Sequence, residues 1–141
     1  MLKSLLAPLA FVSPRVLVLN FDPVFPNQGG KRLHEVQGWN DPHPLTEGYI
    51  ADLQACSGGY VRYRVVEWQD VDAYPVKQDG FRYTNSSYLR CQAGKEEWHQ
   101  PDAVDYHAIL GEFQVPERVE RGEIDEVWWW GFPDAGLWES T

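Results

Sequence analysis

The chain is short of sulfur, of positive charge and of long apolar runs. Two cysteines, Cys56 and Cys91, and one methionine occur among 141 residues, too few for a disulfide-dense scaffold or a cysteine-ligated zinc module. The two cysteines by themselves fit a disulfide, two buried thiols or neither. Lys and Arg number 12 against 21 Asp and Glu, a formal charge of −9. A surface of that sign repels phosphate backbones and anionic lipid, so neither nucleic acid nor a membrane is an expected partner. No apolar run approaches the roughly 18 residues that a membrane-crossing helix needs. Also missing are the G-x-S-x-G nucleophile elbow, the G-x-G-x-x-G and G-x-x-x-x-G-K-[ST] phosphate loops and the H-x-x-x-H metal spacing. No nucleotide, metal or other cofactor is implied by any motif.

What the chain has instead is apolar and aromatic mass: 43% hydrophobic and 14% aromatic residues, including 7 Trp, with 10 Pro and 12 Gly. That excludes a disordered chain and implies one core with long ordered loops. Met1 to Val12 carries one positive charge and a short apolar stretch, as a signal peptide does. Pro8 interrupts it and no cleavage pattern follows, which favours an amino-terminal arm packed on the domain.

Val16-Leu17-Val18-Leu19-Asn20-Phe21 is a continuous apolar run ended by Asp22-Pro23, the pattern of a strand buried on both faces. Val24 to Pro44, with prolines and Gly29-Gly30, reads as a long functional loop. Thr46 is placed to cap a helix over about 46 to 57, with Tyr49, Ile50, Leu53 and Cys56 on one face, where the Cys56 thiol would be inert. A strand runs from Val61 through Trp68, and Val71 to Val76 and Phe81 to Thr84 flank an Asp79-Gly80 hairpin turn. Residues 85 to 100 are polar and irregular. Pro101 opens a helix through Leu110, a short helical turn follows over Pro116 to Arg121, and Ile124 to Trp130 is a last strand. This order predicts an α/β fold: a single-domain sandwich over 1–141 with a mainly parallel sheet, one edge hairpin and flanking helices. The chain ends on Leu137-Trp138-Glu139-Ser140-Thr141 with no closing helix, which points to a fragment of something longer.

Glu120-Arg121-Gly122-Glu123-Ile124-Asp125-Glu126-Val127-Trp128, then Gly131-Phe132-Pro133-Asp134-Ala135-Gly136 and Trp138-Glu139-Ser140, resembles a group of uncharacterised, mostly bacterial proteins. In them an I-D-E-V-W strand runs into a Gly/Pro/aromatic loop and an E-S pair. Tyr63 to Trp68 and Asp70 to Pro75 look like an earlier block of the same group. The resemblance covers about a third of the chain and implies no agreed activity. It also implies a tendency to be exported and to continue beyond the point where this chain stops.

In open α/β sheets ligands bind outside the carboxyl ends of the strands. That rule selects Asn20, Asp22, Glu67, Asp70, Trp130 and Asp134. Asp22, Glu67, Asp70 and Asp134 are the candidate catalytic carboxylates, able to split into acid and base where burial separates their pKa values. Asn20, Trp39, Asp41, His43, Trp130 and Trp138 are the candidate ligand-binding residues. Trp39, Trp130 and Trp138 would form an aromatic platform for a flat or sugar ligand. Binding, either alone or together with hydrolysis, of a polar ligand such as a saccharide at the carboxyl-end rim is the first expectation. The second is a non-catalytic interaction module that docks a partner protein, or the rest of a longer chain, through an aromatic-rich carboxy-terminal surface centred on Trp138.

Overall fold

The computed structural model describes residues 10–138. Most of the expected amino-terminal arm, and Glu139, Ser140 and Thr141, lie outside them. Strand β1 (Arg15–Phe21) is buried at every position after Arg15, as its run of Val and Leu requires. It pairs in parallel with β4 (Arg64–Val71) on one side and β5 (Glu126–Trp130) on the other, so the sheet order is β4-β1-β5. The two short strands between them, β2 (Val24–Phe25) and β3 (Lys31–Arg32), form an antiparallel pair around a turn of 3-10 helix. Gly29 and Gly30 close that turn with φ of 73° and 72°, a conformation that side chains disfavour.

Alternation along the strands divides the sheet into two faces. Leu17, Leu19 and Phe21 pack with Val104, Ile109, Val115 and Ile124 beneath α4 (Tyr106–Glu112) and α5 (Val115–Glu120), and Trp129 stacks on Phe21 within this layer. The opposite face meets α2 (Pro42–Cys56): His43 stacks on Trp68, Thr46 accepts from Trp130, and Tyr49 meets Trp128 edge-on. The result is helix, sheet, helix. A second apolar cluster, Phe25, Leu33, Tyr74, Tyr83, Tyr88 and Cys91, gathers α1 (Leu33–Gln37) and α3 (Asn85–Gln92), and Phe132 packs against both clusters.

Several expected elements are corrected. Helix α2 starts at Pro42, capped by Asp41 rather than Thr46, whose hydroxyl bonds the Pro42 carbonyl inside the helix. Proline is tolerated in a first turn, where its missing N–H has no helical partner. The Asp79-Gly80 turn forms, with Lys77 N–H donating to the Phe81 carbonyl, but its flanks make no ladder. Lys77 instead bridges to Val104. The helix expected from Pro101 begins at Tyr106, capped by Asp105. Residues 85 to 92, expected to be irregular, form α3 behind a reciprocal Thr84–Ser87 cap. The second strand is shifted to Arg64–Val71. No disulfide forms: Cys91 is a buried free thiol, while Cys56 is free and exposed, not sequestered on an apolar stripe.

Lys77 is fully buried. Its ammonium donates to Asp102 Oδ1 and to the Ala135 carbonyl, each at 2.8 Å. A Cβ on Gly136 would come within 2.3 Å of that ammonium. The segment after β5 is thus fastened to the turn at residues 77–80.

Candidate functional site

The crossover from β1 to β4 passes over the α2 face, and the connection entering β5 arrives from the α4–α5 face. The carboxyl ends of β1 and β5 stay paired, Asn20 opposite Trp130, and the loops leaving them lie at the strand-end rim where open α/β sheets bind ligands. A cleft of about 270 Å³ lies there, lined by Asn20 and Asp22 after β1, by Trp130 and Phe132 after β5, and by His34 and Trp39 from the intervening loop.

Asp22 is almost fully buried, and both its oxygens are taken by one residue. Oδ1 accepts from the His34 backbone N–H at 3.0 Å and Oδ2 meets His34 Nδ1 at 2.5 Å. Arg32 donates to the Asp22 carbonyl, closing the loop on the strand end. Asn20 donates from Nδ2 to Asp70 Oδ1, which also accepts from the Trp68 indole. Burial would raise the Asp70 carboxyl, but the bonds from Asn20 and Trp68 and the charges of Arg32 and His43 hold it below the usual carboxylate range. His43 Nε2 stands 3.9 Å from Asp70.

Of the expected site residues, Asn20, Asp22, Trp39 and Trp130 are brought together in this cleft, with Asp70 bonded to its edge through Asn20. The others are not. Glu67 bonds Arg118 of α5 and Gln69, and those bonds lower its pKa, that from Gln69 most. Asp41 caps α2 by accepting from the His43 N–H. His43 lies against Trp68 with ring centroids 3.7 Å apart. Asp134 is exposed at φ 63° in the turn after β5, and it lines a separate hollow with Asp102 and Trp138. Trp138 bonds the Asp102 carbonyl and the Tyr106 hydroxyl. It therefore does not join Trp39 and Trp130 in one platform. Asp22 and Asp70 each accept two or more hydrogen bonds, so neither is a free acid partnered with a free base. Among the described residues no three His, Cys, Asp or Glu side chains are placed to hold a metal ion.

A larger hollow, about 760 Å³, opens between α2 and β5. Leu45, Tyr49 and Leu53 form one wall, and Tyr63, Glu126 and Trp128 the other. The first half of α2 seats Pro42 and Thr46 against the sheet, and only these two residues of the helix are buried. Beyond Thr46 the helix leaves the aromatic face partly open, with Tyr49 54% exposed. Glu126 accepts from the Tyr63 hydroxyl and the Trp128 indole, which orients both rings. The outer edge of β5 carries no strand among the described residues.

His34 is not among the site residues expected from the sequence, because Asp22 and His34 form no recognised spacing. The three consecutive tryptophans are all partly buried, with Trp128 and Trp130 facing α2 and Trp129 packing in the α4–α5 layer. No family model, no curated protein and no solved structure matches the chain. No described helix is long and apolar enough to cross a membrane.

Proposed function

We propose that the domain is an interaction module that docks an extended segment of a partner protein in the hollow between α2 and β5. The observation that carries this reading is the combination, at one place, of a β5 edge that no described strand pairs and an open aromatic face made by Tyr49, Tyr63 and Trp128. A strand added along β5 satisfies its unpaired backbone groups, and every second side chain enters the hollow. Asp52 and Glu126 at its border, in a chain of charge −9, select a segment with apolar residues alternating with Lys or Arg. The docking surface is centred on Trp128 rather than on Trp138. Selection of displayed random peptides against the immobilised domain tests it. Alternating apolar and basic sequences should be enriched, and Tyr49→Glu, a change at an exposed helix position, should abolish their binding. Absence of enrichment, or equal binding to Tyr49→Glu, would refute the reading.

A second reading is favoured by a different observation, the position of the Asp22–His34 cleft at the carboxyl ends of β1 and β5: a small-molecule site at the carboxyl-end rim. Titrating the domain with ligands while following the indole signals of Trp39 and Trp130 tests it.

A further inference from the structure

We infer that His34 is an oriented hydrogen-bond acceptor for a small, ring-shaped ligand that is largely apolar and carries one O–H donor, a phenol-like molecule. The inference rests on the small-molecule reading of the rim cleft. It starts from the Asp22 carboxylate, which accepts hydrogen bonds and cannot donate them, so the ring nitrogen facing it, Nδ1, carries the proton. In the neutral imidazole this leaves the lone pair on Nε2. The ring is held at two points of the same carboxylate, one through its own backbone N–H, so its direction is fixed. Nε2 has no protein partner among the described residues, yet no buried nitrogen there lacks one, so Nε2 reaches solvent, and His34 lines the cleft.

Most other polar groups of the cleft are already engaged. The Asn20 amide nitrogen bonds Asp70, both Asp22 oxygens bond His34, and the Trp130 indole bonds Thr46. Besides Nε2, among the described residues Asn20 Oδ1 and the Asn40 and Trp39 side chains make no such bond, while Leu33, Leu45, Phe132 and Pro133 complete apolar walls. A saccharide presents many hydroxyls and needs many partners. This cleft offers few, and an unmatched hydroxyl desolvated there is costly. A fused or single aromatic ring with one hydroxyl matches the apolar walls and the acceptor that Asp22 orients. At about 270 Å³ the cleft lies just under the ~300 Å³ where drug-sized pockets begin, so the occupant is of fragment size.

The test compares three probes on the whole chain by NMR titration: 2-naphthol, its methyl ether 2-methoxynaphthalene, and methyl β-glucopyranoside. The naphthol should bind about tenfold or more tightly than the ether, which lacks only the donor. It should shift the His34 Nε2 resonance, and His34→Phe should erase the preference. Equal affinity for naphthol and ether overturns the inference, as does a preference that survives in His34→Phe. Should that variant fail to fold, the wild-type comparison and the Nε2 shift decide alone. Binding of the glucoside with neither naphthalene bound overturns the inference but keeps the small-molecule reading. Binding of none of the three overturns both.

Discussion

Replacing Lys77 by Met keeps most of the buried aliphatic stem and removes the ammonium. The Ala135 carbonyl then loses a 2.8 Å donor in a region with little water, at a cost of about 1–3 kcal/mol. The charge-assisted bond to Asp102 is also lost, but the Asp102 side chain is 24% exposed and can turn toward solvent, which keeps that loss to about 1 kcal/mol. The sum is about 3 kcal/mol, near the lower end of what breaking a buried ion pair costs. At roughly 3–5 °C per kcal/mol for a domain of this size, the melting temperature should fall by about 9–15 °C. Asp102→Asn acts differently, because it leaves an ammonium that has no access to water without its counter-charge. The double variant Lys77→Met/Asp102→Asn should therefore be more stable than the sum of the two single losses implies, with a coupling of about 1–3 kcal/mol. Urea denaturation of all four proteins, followed by tryptophan fluorescence, measures the cycle. A Lys77→Met variant that melts within about 2 °C of the parent, a loss of roughly 0.4–0.7 kcal/mol, would refute the account of Lys77 as the fastening of the post-β5 segment.

Two further outcomes follow from other parts of the molecule. Arg15 bonds Asp125 through its side chain and backbone N–H, and these bonds bring the Asp125 carboxyl down from its ordinary value near 3.8 to about 2. A depressed folded-state pKa stabilises above the unfolded value and loses that contribution as pH falls through the folded one. Melting temperature should accordingly drop between pH 4 and pH 2 partly through this group, and Asp125→Asn should flatten the curve in that window; an unchanged slope would contradict it. For the thiols, Cys56 is exposed while Cys91 is buried and its pKa raised, by burial first. Ellman's reagent should therefore label one thiol promptly in the native protein and the second only after denaturation, and simultaneous labelling of both would argue against the packing around Tyr88.

The elements legible in the sequence are those whose pattern and burial coincide. The Val16 to Phe21 run is central because both its faces are covered, and Glu126 to Trp130 forms a strand as its I-D-E-V-W-W-W context suggests. Helix α3 was not legible. Asn85-Ser86-Ser87 looks like loop, and only Tyr88 and Cys91 of its residues are buried, too few to mark a periodic face. The start of α2 was hidden by Pro42 and Pro44, which read as breakers when the Asp41 cap is not recognised. The Asp79-Gly80 pair marked a real turn, but a turn specifies no ladder when the flanking residues find partners elsewhere, as Lys77 does at Val104. At the rim, strand-end position located Asn20, Asp22, Asp70 and Trp130. It could not show that α5 would draw Glu67 to Arg118, or that a histidine twelve residues after Asp22 would close back on it.

The middle strand of the sheet is the first of the described strands along the chain. β1 finds its partners at Arg64 and beyond on one side and at Glu126 and beyond on the other, with no hairpin to bring either close. On a ribosome, this apolar strand emerges long before the strands that cover its edges, and β5 follows only after Arg64–Val71 and the later helices α4 and α5. Closing such distant contacts is slow, and an unpaired Val-Leu strand is sticky while it waits. The nascent chain should therefore depend on a holding chaperone until Trp130 has cleared the exit tunnel.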